Sequence, residues 1–175
     1  MGNLQHESID YQITETPFFL VRTYVYSTGA SFREYVSHGR WGSLPLVHIT
    51  LGKDPATGRR RIAYGVVAIG AIAVGIVPIG ALAIGLFPLG WLAVGLFTAI
   101  GQAAIGLVAV GQLAIGPFFA LGQVAVGYTA VGQVAIGYYA LGQSASGMYT
   151  YDMKHQEYEA WLYFKELIPW LQYKE

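Results

Sequence analysis

The sequence predicts a mainly β protein. A four-sided parallel β-helix, or β-solenoid, of about four coils is expected over residues 62–150. An N-terminal β-rich cap module with a β-hairpin (residues 1–61) precedes it, and a C-terminal amphipathic capping helix (residues 151–175) follows. Three observations carry this reading. Glycine recurs almost every fifth residue, first as Gly65, Gly70, Gly75, Gly80, Gly85, Gly90 and Gly95, then as Gly101, Gly106, Gly111, Gly116, Gly122, Gly127, Gly132, Gly137, Gly142 and Gly147. The ninety residues between Arg61 and Asp152 contain no Asp, Glu, Lys, Arg or His. Two units run to six residues, Leu96 to Gly101 and Pro117 to Gly122, and start 21 residues apart.

In the N-terminal module, Phe18–Tyr26 and Leu44–Leu51 are rich in β-branched and aromatic residues and predict strands. Lys53-Asp54-Pro55-Ala56-Thr57-Gly58 supplies turn chemistry. The expected product is a hairpin whose second strand, Arg60 to Val67, runs into the first repeat.

The repeat reads x-x-Ala-h-Gly, with h a branched aliphatic, as in Ile72-Ala73-Val74-Gly75, Leu82-Ala83-Ile84-Gly85 and Val134-Ala135-Ile136-Gly137. A helix fits this period poorly. Five residues advance an α-helix by about 500°, so the glycines would scatter over every face. A solenoid fits it: each pentad makes one side of a coil, glycine marks the corner, and alternation sends h and the residue two before it inward. The interior is then filled by Val, Ile, Leu and Phe, and the two lengthened units place an extra residue at the same corner of consecutive coils.

The period of five and the regular inward apolar position resemble the pentapeptide-repeat proteins over roughly residues 63–150. That resemblance implies a right-handed four-sided β-helix. The chain departs from the family in lacking its Asn or Asp and its polar outward residues. The segment Gly42-Ser43-Leu44-Pro45-Leu46-Val47-His48-Ile49, with Gly58-Arg59-Arg60-Arg61 leading into Ala-Ile-Gly units, is similar to uncharacterised bacterial proteins with hydrophobic repeats, a likeness that implies no activity.

Residues directly after glycine form two alternating series. One is Val66, Ile76, Leu86, Leu96, Leu107, Pro117, Tyr128, Tyr138 and Met148; the other is Ala71, Ala81, Trp91, Gln102, Gln112, Gln123, Gln133 and Gln143. Four sides per coil would give two apolar walls and two that become glutamine-lined. After Thr150, residues 157–171 read as a helix with Tyr158, Trp161, Leu162, Lys165 and Ile168 at helical spacing, interrupted at Pro169. It serves as the cap that covers the last coil's strand edges.

Composition narrows the function. The chain is 54% hydrophobic and 11% charged with zero formal net charge, far from the usual quarter charged. No basic stripe suggests nucleic acid. Cysteine is absent, which excludes thiolate chemistry. The first residues lack the basic and apolar regions of a cleaved signal peptide. His6, His38, His48 and His155 are scattered without metal-ligand spacing, and Ser27, Ser31 and Ser37 lack a nucleophile motif. No catalytic, metal or cofactor residues are therefore expected, and no small-molecule substrate is identified.

The reading is a non-enzymatic protein of the inner or cytoplasmic membrane, with a lipid bilayer and further copies of itself as partners. The membrane or oligomer surface comprises Val66, Ile76, Leu86, Trp91, Leu96, Leu107, Tyr128 and Tyr138, with headgroup contacts from Arg59, Arg60 and Arg61. Trp161, Trp170, Tyr158, Tyr163 and Tyr173 supply an interfacial belt or seal the open end. About four coils at ~4.8 Å each span only ~20 Å of a ~30 Å hydrocarbon core. The alternatives are a soluble oligomeric scaffold with apolar walls buried between protomers, and a multi-span protein with membrane helices in residues 62–101.

Overall fold

The computed structural model of the chain describes residues 10–167. They form a mainly β protein, about 70% strand, built as a β-solenoid with a parallel sheet, N-terminal strands and one C-terminal helix. The chain divides into two compact units, residues 1–82 and 83–175. His6, Ile168, Pro169, Trp170 and Tyr173 lie outside the described residues.

In the first unit, β1 (Gln12–Glu15), β2 (Phe19–Val25) and β3 (Ser31–Ser37) form an antiparallel meander. The short pair β4 (Arg40–Trp41) and β5 (Leu44–Pro45) precedes β6 (Val47–Leu51), which pairs antiparallel with β3. Phe32 of β3 is fully buried, and two residues on Glu34 is buried too. The expected turn at residues 53–58 is present. Asp54 accepts the Ala56 N–H, Gly58 donates its N–H to the Asp54 carbonyl, and Gly58 adopts φ 63°. The strand after this turn is not the second arm of a hairpin. Strand β7 (Ile62–Gly85) runs parallel to β6, with Val47 opposite Val67 and Ile49 opposite Ile69. The N-terminal sheet therefore continues directly into the repeat, and its hairpins are those of the meander.

In the second unit, β8 (Leu89–Gly95), β9 (Thr98–Ile105) and β10 (Val108–Tyr151) pair in parallel. Val108 lies opposite Thr98 and Ile115 opposite Ile105, ten residues apart; Leu89 lies opposite Ile100, eleven apart across an insertion. Stacked neighbours are thus separated by two pentads, not the four that a four-sided coil requires. Each layer has two walls, one pentad to a wall.

A ten-residue layer is thin, and this reverses the expected interior. The third residue of each pentad points inward and is fully buried: Ala63, Ala68 and Ala73 in the first unit, and Ala93, Ala104, Ala125 and Ala135 among others in the second. Pro78 and Pro88 occupy the same slot. The Val, Ile, Leu and Phe expected inside lie on the outer faces, since the opposed walls leave room only for a methyl group or a proline ring.

The glycines also act differently from corner residues. None in the repeat has positive φ; among the described residues that conformation is confined to Gly29, Gly42, Gly52 and Gly58. Their role is steric. A Cβ on Gly75 would overlap the carbonyl oxygen of Gly65, one on Gly80 that of Gly70, and the same relation joins Gly132 to Gly122 and Gly142 to Gly132. Each layer's backbone sits in the space that a side chain of the next would need.

The two insertions share one geometry. Leu86 O accepts from both Phe97 N (3.2 Å) and Thr98 N (3.3 Å), and Leu107 O accepts from both Phe118 N (3.1 Å) and Phe119 N (3.3 Å). Two donors facing one acceptor is a β-bulge, which absorbs an extra residue and preserves the register beyond it. Both bulges fall on the same wall, as the 21-residue spacing predicts for an equivalent position.

Gly132→Ala is expected to lower stability by about 3 kcal/mol or more, because a backbone carbonyl cannot move aside. Gly106→Ala costs less, since its Cβ would lie 3.1 Å from the nearest atom, Gly95 O. Thermal unfolding followed by circular dichroism distinguishes the two; equal midpoints for both variants contradict the steric account.

Candidate functional site

The outward faces are the feature from which a function can be built. In the second unit the register places Leu86, Leu96, Leu107, Tyr128 and Tyr138 on one wall and Trp91 with Gln102, Gln112, Gln123, Gln133 and Gln143 on the other. Trp91 therefore does not share a face with the other expected surface residues of that unit. In the first unit Val66 and Ile76 lie on a common wall. Trp91 is 70% exposed and Leu96 58%, Tyr128 and Tyr138 are exposed, and Val66, Ile76, Leu86 and Leu107 are half-buried by layer neighbours. Sequence reasoning missed Phe118, 63% exposed, together with Phe87, Phe97, Ile100, Ile105 and Ile136. These become evident once alanine is recognised as the inward residue.

The aromatic wall has internal order. Phe87 stacks on Phe97 at 5.8 Å, and Tyr128 lies parallel to Tyr138 at 5.1 Å and 5°. Beside them Tyr139 stacks on Tyr149 at 5.2 Å. Layer spacing sets these distances, because equivalent positions recur once per layer.

The C-terminal helix α1 (Tyr158–Leu167) is laid against this wall. Tyr163 stacks on Tyr139 at 3.9 Å, and its hydroxyl is 2.6 Å from Thr129 Oγ1. Trp161 packs near Tyr151, while Ala160 and Phe164 are fully buried. The predicted stripe is thereby corrected: Tyr158 and Leu162 are exposed, and the seated face runs through Ala160, Tyr163 and Phe164. The helix covers successive layers from the side as well as following the last one.

Charged groups bound the apolar tract. In the first unit the buried Glu34 carboxylate meets His48 Nε2 at 3.1 Å, Arg61 at 3.1 Å and Arg22 at 3.5 Å. His48 Nδ1 accepts the Tyr64 N–H at 3.0 Å, so Nε2 carries the hydrogen donated to Glu34. Burial pushes the Glu34 carboxyl up, but the His48 hydrogen bond and the Arg61 and Arg22 charges outweigh it and hold the group below the usual carboxylate range. Arg61, expected to contact headgroups, is thus engaged with Glu34, whereas Arg59 and Arg60 are exposed beside it.

In the second unit carboxylates cap the backbone donors that come after the last full layers. Asp152 accepts N–H groups of Ala145 (3.1 Å), Lys154 (2.7 Å) and His155, and Glu157 accepts that of Thr150 (2.9 Å). The N–H groups of His155, Ala145 and Lys154 lower the Asp152 pKa to about 2. Asp152 is the first charge after the tract, a signal the sequence contained without showing its use. An open groove of about 680 Å³ runs beside it, lined by Gln123, Gln133, Gln143, Tyr151, Asp152 and Gln156 among others.

Among the described residues no group of three or more His, Cys, Asp or Glu side chains could hold a metal ion. No helix among them is long and apolar enough to cross a membrane, and residues 62–101 are largely strand, which overturns the multi-span alternative. No protein-family model, curated protein or solved structure matches the chain. The resemblance to pentapeptide-repeat proteins accordingly stands at the level of the β-solenoid fold.

A carboxyl whose pKa is depressed on folding contributes stability that is full above its unfolded value, about 4, and lost as pH falls towards 2. Acidification through that window is expected to loosen the segment around Asp152, raising hydrogen exchange at the Ala145 amide before the rest of the stack. Asp152→Ala should show this exchange already at neutral pH and lose its dependence on acid. Unchanged exchange in the variant contradicts the cap assignment.

Proposed function

We propose that this chain is a non-enzymatic membrane protein whose solenoid is seated in the lipid bilayer. One observation carries the reading: alanine fills the interior and large apolar side chains the exterior, over a tract from which charge is excluded. Water offers no reason for that arrangement, and monomeric soluble proteins seldom expose contiguous apolar patches beyond a few hundred Å².

Two further features support it. Hydrocarbon requires that backbone polar groups be satisfied within the protein, and parallel layers bond their strands to one another. The second unit alone stacks Gly90, Gly101, Gly111, Gly122, Gly132 and Gly142 in one column. Six layers at ~4.8 Å give roughly 29 Å, against ~30 Å for a bilayer's hydrocarbon core. The shortfall expected from twenty-residue coils disappears with layers of ten. On this reading Arg59 and Arg60 meet phosphate headgroups, and the chain works through membrane interaction and self-assembly instead of turnover.

A soluble oligomer with its walls buried between protomers is the second reading, favoured by the glutamines on one wall. Fractionation decides between them. The full chain is expected in the membrane fraction, released by detergent and not by alkaline or salt washes. Trp91 emission in reconstituted vesicles should be quenched by brominated lipid, and the Trp91→Phe variant should lose much of that quenching. Recovery as a monodisperse oligomer in detergent-free buffer overturns the membrane reading.

A further inference from the structure

We infer that the glutamine column is the seam through which a second copy of this chain packs against the first. The inference rests on the membrane and self-assembly reading and names the wall through which the copies meet. Gln102, Gln112, Gln123, Gln133 and Gln143 all come directly after a column glycine, so one exposed amide is presented per layer on a single wall. The register is tight: the space beside Gly132 is bounded by Gln123 O at 3.3 Å, and that beside Gly142 by Gln133 O at 3.3 Å. The amides therefore recur at the layer spacing of about 4.8 Å.

A primary amide carries two donors and one acceptor oxygen, and leaving it unpaired in hydrocarbon is strongly unfavourable. Five amides in line on an otherwise apolar surface thus favour whatever can pair with them. Lipid tails cannot. A second copy turned by a two-fold axis presents the same column, with donors against acceptors at the same repeat, which is the self-complementarity an isologous dimer needs. Residues 62–151 carry no charge, the Asp152 carboxylate beside the column is buried and turned to the Ala145, Lys154 and His155 amides, and the exposed Leu113, Val124 and Val134 beside the glutamines supply an apolar margin. The opposite wall is not equivalent, because its Tyr139 column is occupied by Tyr163 of α1.

Single-cysteine cross-linking tests this in the full-length chain, which has no cysteine of its own. Gln112→Cys, Gln123→Cys and Gln133→Cys would be reconstituted in vesicles at high lipid excess and oxidised, with Leu86→Cys and Leu107→Cys on the other wall as controls. Disulfide-linked dimers are expected from the glutamine column, strongest near the two-fold axis and weaker away from it, with the controls at background. Replacing Gln123 and Gln133 by Leu should weaken dimerisation by about threefold per amide without altering the circular dichroism. Equal cross-linking from the controls, monomers throughout, or uniform labelling of the column by a membrane-impermeant thiol reagent each overturns the seam. Co-flotation scored on the same samples separates the two claims: monomers that float with vesicles overturn the seam alone, whereas chains that do not float overturn the membrane reading.

Discussion

The structure depends on one steric relation, the carbonyl oxygen of a glycine occupying the place where the next glycine in the column would carry its Cβ. Parallel strands normally approach to about 4.8 Å with their side chains directed to the two faces. Where a column glycine stands, the Cβ direction instead meets the layer below, so only hydrogen fits. Positive φ plays no part in the repeat. Spacing glycine every five residues therefore sets where the layers lock.

The chemistry of the surface is a consequence of that winding. Two walls built from five residues each lie close together, and one residue in five faces the gap. Alanine satisfies it, as do Pro78 and Pro88. The remaining side chains have nowhere to go but outward, so a sequence rich in Ile, Leu and Phe acquires an alanine core and a greasy exterior. Burial of methyl groups stabilises such a core weakly, at about 0.8 kcal/mol per CH₂-sized group. The load passes to the backbone ladder and to contacts between like residues in successive layers, seen in the parallel rings of Tyr128 and Tyr138.

Much of this was legible in the sequence and some was not, for definable reasons. The period of five announced the solenoid, and the two six-residue units announced a bulge, because local spacing is what those features consist of. The number of pentads per layer could not be read, since layers of ten and of twenty residues repeat with the same glycines. Inside and outside were exchanged because five is odd: alternation starting from Val74 or from Ala73 is equally regular, and apolar bulk favoured the wrong choice. Strand β3 escaped notice because Glu34 points inward among its partners, against the rule that charge marks the solvent face. The parallel course of β7 was hidden by a turn at Asp54 to Gly58 that would equally suit a hairpin.

The polar groups are placed where this architecture leaves backbone or surface incomplete. A parallel stack satisfies its own N–H and C=O groups except at its edges, and an unsatisfied edge invites further strands. In the second unit Asp152 and Glu157 take the donors of Ala145 and Thr150, so a carboxylate stands where the next layer's carbonyl would have been. In the first unit His48 takes the Tyr64 N–H and is itself held by Glu34. These groups satisfy backbone donors where each ladder stops, and under the proposed seam the glutamines are the groups through which one wall associates sideways. On that proposal, confining charge to the sequence outside residues 62–151 and placing amides within the repeat divides satisfying the ends of a stack from joining it to another.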